Sequence, residues 1–330
     1  MILKVMQEQM NVLMNSYPVA FACPGGGEVQ LLRTKEFLEK QKVHVELFDQ
    51  WNPQFESSDL AHYFSVQGGS MNFCGYVSGM GMPLVISPIL WPHQPEKYPF
   101  REIQNLLNTA DLIFPNSQME ADLLARVYDI PLDKFHVTYN GVDDSFITDN
   151  STTEALFRDK FHIDFEFSLC VANIENRKNQ ILLAQAAKST QKNVILIGQV
   201  RDEEYLRKVK DAGGDYIHYV GALDHFSLEL KSAFRACDQF ILPSLLETPG
   251  LAALEAAAMG CAVAVTVEGS TKEYFGEYVT YIDPLDVRSI EQALENPKFS
   301  SDLKLHVSEN FNWSRTAEQC IDGYSRLLKK

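Results

Sequence analysis

Nowhere in its 330 residues does the chain approach the roughly 18 uninterrupted apolar residues of a membrane-spanning helix. Its opening, Met1–Met14, is broken by Lys4, Gln7, Glu8 and Gln9, so it does not read as a signal peptide either. A cytoplasmic protein is the expectation. Cysteines are few: Cys23, Cys74, Cys170, Cys237, Cys261 and Cys320 form no C-x-x-C pair, and most sit in apolar runs where cysteine behaves as a small hydrophobe. That pattern argues against disulfides and zinc. Basic residues are scarce too. Residues 1–150 hold 9 Lys and Arg against 18 Asp and Glu, and the remainder 20 against 26, for a net charge of −15. Two acidic halves argue against a nucleic-acid partner and lend no support to peripheral contact with anionic lipid. A complete G-x-G-x-x-G is also missing, which weakens any reading as a nicotinamide oxidoreductase.

What is present is enough chain for two domains of ordinary size, and two domains make a cleft. Met10–Asn15 reads as a first strand, leaving Met1–Gln9 as an extension. A glycine run, Cys23-Pro-Gly-Gly-Gly-Glu-Val-Gln30, precedes an amphipathic helix over about 29–40 with Leu31, Leu32 and Phe37 as core candidates, and a strand over 43–48 follows. Strand, glycine loop, helix, strand is a Rossmann-type unit. Residues 60–66 and 84–90 read as buried strands, with His62 structural and His93 just past the second. From 169 onward the alternation repeats, with strands at 169–172, 194–198, 217–221 and 239–243 and helices at 179–188, 203–212 and 227–236. Strands joined through helices run parallel. The domains are expected at 10–147 and 148–311, with a hinge near 144–151 and a helix over about 312–330 returning to the first.

The richest segment is Phe240-Ile-Leu-Pro-Ser-Leu-Leu-Glu-Thr-Pro-Gly-Leu-Ala-Ala-Leu-Glu255-Ala-Ala-Ala-Met-Gly260. Thr248 is placed to N-cap, Pro249 suits the first helical position and Gly260 follows the last apolar turn, so a helix is expected over 249–259. Its first amides, at Gly250, Leu251 and Ala252, would lie at the mouth of a parallel sheet with the positive end of the helix dipole outward, a common way to hold phosphate. Glu247 stands at that mouth. Glu255 is the only charge on the helix, and unpaired burial would cost several kcal/mol, so it needs solvent or a partner. Both glutamates also admit a plain reading, Glu247 as a solvated loop residue and Glu255 paired with a distant Lys, Arg or backbone donor. A second cluster, Asn173-Ile-Glu-Asn-Arg177-Lys178-Asn179, sets two cations at a helix start, where the dipole disfavours them. A surface pairing with Glu175 would answer that need, and so would an anionic ligand.

A strand ending in Pro-Ser, then Glu247, seven residues, Glu255 and Ala-x-x-x-Gly resembles the Glu-x7-Glu signature of the family 4 glycosyltransferases, retaining enzymes of the GT-B fold. The likeness continues through Glu268–Gly276, Tyr281–Asp286, Asp111–Ser117, Val137–Asp143 and the Phe311–Trp313 segment, spanning roughly 11–328. It implies an α/β fold of two Rossmann-like domains facing a central cleft, with the C-terminal helix crossing back to the first. It implies a nucleotide sugar such as a UDP- or GDP-sugar as co-substrate, no further cofactor, and a glycan, lipid-linked or small-molecule hydroxyl acceptor. By the same resemblance Arg177 and Lys178 face the diphosphate, Glu247 the donor sugar and Glu255 the ribose. His93 would touch the donor sugar, and Gly26 and Gly27 would let a phosphate or acceptor approach the backbone. Donor base contacts are expected from the 219–223 turn, with Gly221 and Leu223 in it. Where many members carry Gly-Arg after the strand, this chain has Ala172-Asn173, so that contact is lost or passes to Arg177. No metal is expected, since cations already stand at the diphosphate. A sugar-nucleotide 2-epimerase of the same fold and a non-catalytic nucleotide-sugar binder remain as alternatives.

Overall fold

The computed structural model describes residues 9–22 and 25–329. Most of the expected extension Met1–Gln9 and the cysteine at position 23 lie outside the described residues. The chain forms two compact units, one running to Asn140 and resuming at Trp313, the other Gly141–Asn312. The division falls ahead of the expected 144–151 hinge. Val142 bridges to Asn312, and Phe146 is buried against Phe226 and Phe234, which commits that stretch to the second unit.

In the first unit β1 (Asn11–Ser16), β2 (His44–Leu47), β3 (Leu60–Phe64), β4 (Leu84–Ser87) and β5 (Leu112–Ile113) form an all-parallel sheet in the order β2-β1-β3-β4-β5. Val12, Leu13 and Met14 of β1 and the whole of β3 and β4 are buried, as strands covered on both faces must be. The helices are α1 (Gly26–Lys40), α2 (Ser70–Gly79), α3 (Phe100–Thr109) and α4 (Gln118–Tyr128). β3 and β4 stop short of the expected 66 and 90. Ser65 takes φ +92, and Pro88 offers no amide to a ladder before Ile89 at φ +50. The glycine run is not a loop ahead of α1 but its first turn. Gly25 is the N-cap, and the Glu28 carboxylate at the third helical position accepts from the Gly25 amide at 2.6 Å. Leu31 and Phe37 are buried, whereas Leu32 is 45% exposed on the solvent face.

In the second unit come α5 (Asp144–Ile147), α6 (Ala155–Phe161), β6 (Ser168–Val171), α7 (Gln180–Thr190), β7 (Val194–Ile197), α8 (Glu203–Gly213), β8 (Ile217–Tyr219), α9 (Leu228–Ala236) and β9 (Gln239–Leu242). Then follow α10 (Leu251–Met259), β10 (Val263–Thr266), α11 (Thr271–Phe275), β11 (Thr280–Ile282), α12 (Val287–Glu295) and α13 (Ser301–Asn310). The sheet is parallel throughout, in the order β11-β10-β9-β6-β7-β8. Counted from β6 this is the doubly wound 3-2-1-4-5-6 order, with its reversal between β6 and β9. Such a reversal leaves a crevice outside the carboxyl ends of the two central strands.

The last helix, α14 (Trp313–Leu328), belongs to the first unit and packs along α1. Tyr324 places its hydroxyl 2.6 Å from Nδ1 of His62 on β3, whose Nε2 lies 2.9 Å from Ser87 Oγ on β4. His62 is therefore structural, buried between a helix and its own sheet. Among the described residues no helix is long and apolar enough to cross a membrane. The thiols of Cys74, Cys170, Cys237, Cys261 and Cys320 are free.

Candidate active site

The loops that follow β6 and β9 flank the reversal of the second sheet, and they carry the two motifs that stand out in the sequence. After β6 the chain makes a short turn over Asn176–Lys178 and reaches Asn179, at φ +58, before α7 begins. The Asn179 amide is buried and donates to the carbonyls of Pro243 (3.1 Å) and Pro284 (2.8 Å), joining the β6 loop to the β9 loop. The Leu245 amide donates to the Arg177 carbonyl at 2.9 Å, a second tie between the same segments. Asn173 is fastened as well. Its carbonyl accepts from Gln180 Nε2 at 2.9 Å, and its side-chain oxygen, in the orientation that satisfies both groups, accepts from Arg201 at 3.1 Å.

Across this junction Lys178 Nζ meets Glu247 Oε1 at 2.6 Å, with both side chains largely withdrawn from solvent. Burial opposes ionisation of Glu247, but the charges of Lys178 and Arg177 and the Lys178 hydrogen bond outweigh it and hold the carboxyl below its ordinary value of 4.5. Glu247 is thus no solvated loop residue. Its position is fixed from behind. Its amide donates to Glu268 O (3.2 Å), its carbonyl accepts from Ser270 N (3.0 Å), and it is bridged to Gly269. Gly269 has φ +100, and a Cβ there would stand 2.0 Å from the Glu247 carbonyl oxygen. No other residue type fits that approach without moving Glu247.

Arg177 is exposed and lightly held, reaching Glu175 Oε1 at 3.3 Å and the Leu246 carbonyl at 3.4 Å. Of the two neighbouring cations, Lys178 is a largely enclosed fixture of the site and Arg177 is exposed.

Helix α10 begins later than the sequence suggests. Thr248 does not cap it and Pro249 is not its first residue. Gly250, at φ +87, is the N-cap, and its carbonyl accepts from the amides of Ala253 (2.9 Å) and Leu254 (3.2 Å). A residue in the left-handed region cannot be helical, so the turn at Gly250 sets the start. Thr248 is partly exposed beside Glu247, and the first amides of α10, at Leu251 and Ala252, have no acceptor within the helix. Glu255 lies one turn along. It is buried, and its Oε1 is 3.3 Å from Nε2 of His225. That partner comes from the turn between β8 and α9, where His225 also packs edge-on against Phe146 and Phe226. Nothing local in the sequence marks His225, because the contact spans thirty residues and exists only once β9 lies beside β6.

Gly221, at φ +94, follows β8, and its carbonyl accepts from Gly198 N at 3.0 Å; Leu223 is half-buried in the same turn. The remaining expected residues lie in the first unit. Gly26 and Gly27 form the start of α1, with Gly27 against Ile89. His93 is exposed in the loop after β4, its amide donating to the Trp91 carbonyl at 2.9 Å. Among the described residues no three His, Cys, Asp or Glu side chains are grouped to hold a metal ion.

Comparison with known proteins gives this arrangement a context. Residues 153–308 match the profile described as "Glycosyl transferases group 1". The matched residues lie within the second unit. It is 30% identical over 240 residues to the serotype-specific mannosyltransferase WbdA of Escherichia coli, an alignment covering 67% of this chain. The chain spans 29% of that relative's length. Among solved structures, sucrose-phosphate synthase from Thermosynechococcus elongatus superposes with a TM-score of 0.79 at 17% identity, over 97% of this chain and 100% of that one. Anabaena Alr3699/HepE in complex with UDP and glucose superposes with a TM-score of 0.78 at 17% identity, over 97% and 100%. The fold is GT-B, two parallel-sheet α/β units, and both motif loops fall inside the group 1 match.

Proposed function

We propose that the chain is a retaining, family 4 glycosyltransferase that moves a sugar from a nucleoside-diphosphate sugar to a hydroxyl acceptor. The observation that carries this reading is the junction of the β6 and β9 loops beside the reversal of the second sheet, where Lys178 pairs with Glu247, Arg177 reaches Glu175 and the Leu246 carbonyl, and the same β9 loop leads into α10 at Gly250. Two cations and a helix N-terminus carried by these loops suit a diphosphate. The binding of UDP and glucose by a protein of the same fold is in keeping with it, and the mannosyl specificity of WbdA makes mannose the first sugar to try.

In this reading the bond from the sugar's anomeric carbon to the diphosphate oxygen breaks, a bond from that carbon to the acceptor oxygen forms, and the acceptor's proton leaves with the diphosphate. Charge grows on the leaving diphosphate, and each preorganised donor aimed at such charge is worth about 3 to 4 kcal/mol. Arg177 and Lys178 supply that stabilisation, with the amides of Leu251 and Ala252 beside them. Glu247 has a second carboxylate oxygen to offer a donor-sugar hydroxyl, and Glu255 accepts from the ribose. Acceptor binding falls to the first unit, with Gly26 and Gly27 on its side.

The test is a thermal-shift screen of the intact chain against UDP, GDP and ADP, followed by turnover of the matching nucleotide sugars with and without excess chelator. A nucleoside diphosphate should raise the melting temperature, because it binds only the folded state. Activity should survive the chelator, since side-chain cations take the place of a divalent ion. No shift with any nucleotide would overturn the assignment, and loss of activity rescued by manganese or magnesium would overturn its metal-free chemistry.

A further inference from the structure

The first sheet has its own reversal, between β1 and β3, and a cavity of about 420 Å3 opens there. That is within the roughly 300 to 1,000 Å3 of small-ligand sites, at the place where a doubly wound sheet binds them. Ser16 and Tyr17 after β1, Glu28 of α1, Ser65 and Gln67 after β3, and Ile89 line it. Among the described residues no lysine, arginine or histidine lines it. The one charge is negative. Glu28 is buried, accepting from the Tyr17 hydroxyl at 3.0 Å and from the Gly25 amide at 2.6 Å. The N-cap amide of α1 therefore already holds the chain's own carboxylate, which sets a negative charge at the helix N-terminus.

From these groups we infer that the cavity takes an uncharged, hydroxyl-rich acceptor, a neutral sugar or polyol, and rejects phosphorylated ones. The inference rests on the glycosyltransferase reading and names the acceptor class for it. Hydroxyls on Ser16, Tyr17 and Ser65 and the amide of Gln67 match sugar hydroxyls, while Ile89 offers apolar surface to C–H faces. A phosphate would bring a second negative charge beside Glu28 with no cation to offset it, and like charges brought together in a site are strongly disfavoured.

The experiment measures binding rather than turnover, so that it does not depend on the donor site. Ligand-observed saturation-transfer NMR on the intact chain compares mannotriose, maltotriose and myo-inositol with their monophosphates, and calorimetry with UDP, GDP and ADP reports the donor site separately. At least one neutral probe should bind, at least a hundredfold tighter than its phosphate. Gln67→Lys should narrow that preference at least tenfold by placing a cation at the rim, with nucleotide affinity unchanged. Equal or tighter binding of a monophosphate to the wild-type chain would overturn the inference, as would binding of no probe of either kind or an unaltered preference in Gln67→Lys. Failure of the nucleotides to bind, with the sugar preference intact, would instead count against the donor reading alone.

Discussion

Lys178 and Arg177 are neighbours with different environments, and the difference decides what each substitution does. Lys178 is part-buried and paired with the buried Glu247, so Lys178→Ala removes a cation from the proposed diphosphate site and also strands a buried carboxylate. Expected are a fall in kcat of about a hundredfold or more, from ~3 to 4 kcal/mol of lost leaving-group stabilisation, and a destabilisation of about 3 to 5 kcal/mol from the broken pair. Arg177→Ala should lose turnover on the same scale while keeping stability within about 0.5 kcal/mol, as exposed positions do. Steady-state kinetics with urea denaturation checks both. Near-normal turnover in Arg177→Ala would remove its guanidinium from the diphosphate site. The glutamates should diverge as well. Glu255→Gln is expected to weaken nucleoside diphosphate binding by about 1 to 3 kcal/mol, the scale of a hydrogen bond to a charged group. Its stability should change by less than about 1 kcal/mol, because its partner His225 is 36% exposed. Glu247→Gln should show the reverse, a stability loss of about 3 kcal/mol or more with nucleotide affinity preserved, since Lys178 loses its internal competitor. Calorimetric titration that finds equal affinity losses in the two would show the roles to be misassigned.

At the scale of elements, the donor-side geometry is held by loops that lock onto one another. Glu247 sits where it does because the backbone at Gly269 passes too close for any side chain, and φ +100 there is a conformation L residues rarely adopt. Gly269→Ala should therefore cost about 2 to 3 kcal/mol in stability. By displacing Glu247 it should also lower kcat on the intact nucleotide sugar, although residue 269 touches no ligand. Full activity with unchanged denaturation would mean that the loop yields freely. The same level explains which elements are legible in sequence. β9 and α10 announce themselves by a short apolar run and a Leu/Ala/Met helix interrupted only by Glu255, both local properties. The start of α10 does not, because Thr-Pro is a good helix opening in isolation and only the turn at Gly250 postpones it. The start of α1 escapes for the opposite reason. A glycine run reads as a loop, but Glu28 caps it from inside and the helix begins at Gly26.

Across the first unit as a whole, the C-terminal helix is joined to the sheet through His62. Burial pushes its imidazole down from 6.5 to about 3, so the folded chain keeps the ring neutral where the unfolded chain protonates it. With the folded value depressed, this contribution to stability is complete above about pH 6.5 and is lost as the pH falls towards 3, at about 1.4 kcal/mol per pH unit. Urea denaturation between pH 7.5 and 4.5 should show that slope, and His62→Gln should flatten it by one proton. Parallel curves for the two proteins would show that His62 does not titrate with folding.

Periodicity alone determined the parallel α/β alternation, because strand and helix patterns depend on neighbours a few residues apart, and the acidic balance and the Glu247–Glu255 spacing are likewise properties of the bare chain. Pairing was decided only by the tertiary structure. That Lys178 faces Glu247, that His225 meets Glu255, that Asn179 ties two loops and that Glu28 sits in an uncationed cavity all join residues brought together by strand order. Strand order is set by packing both faces of each sheet at once, a condition satisfied by the whole chain and written in no single segment of it.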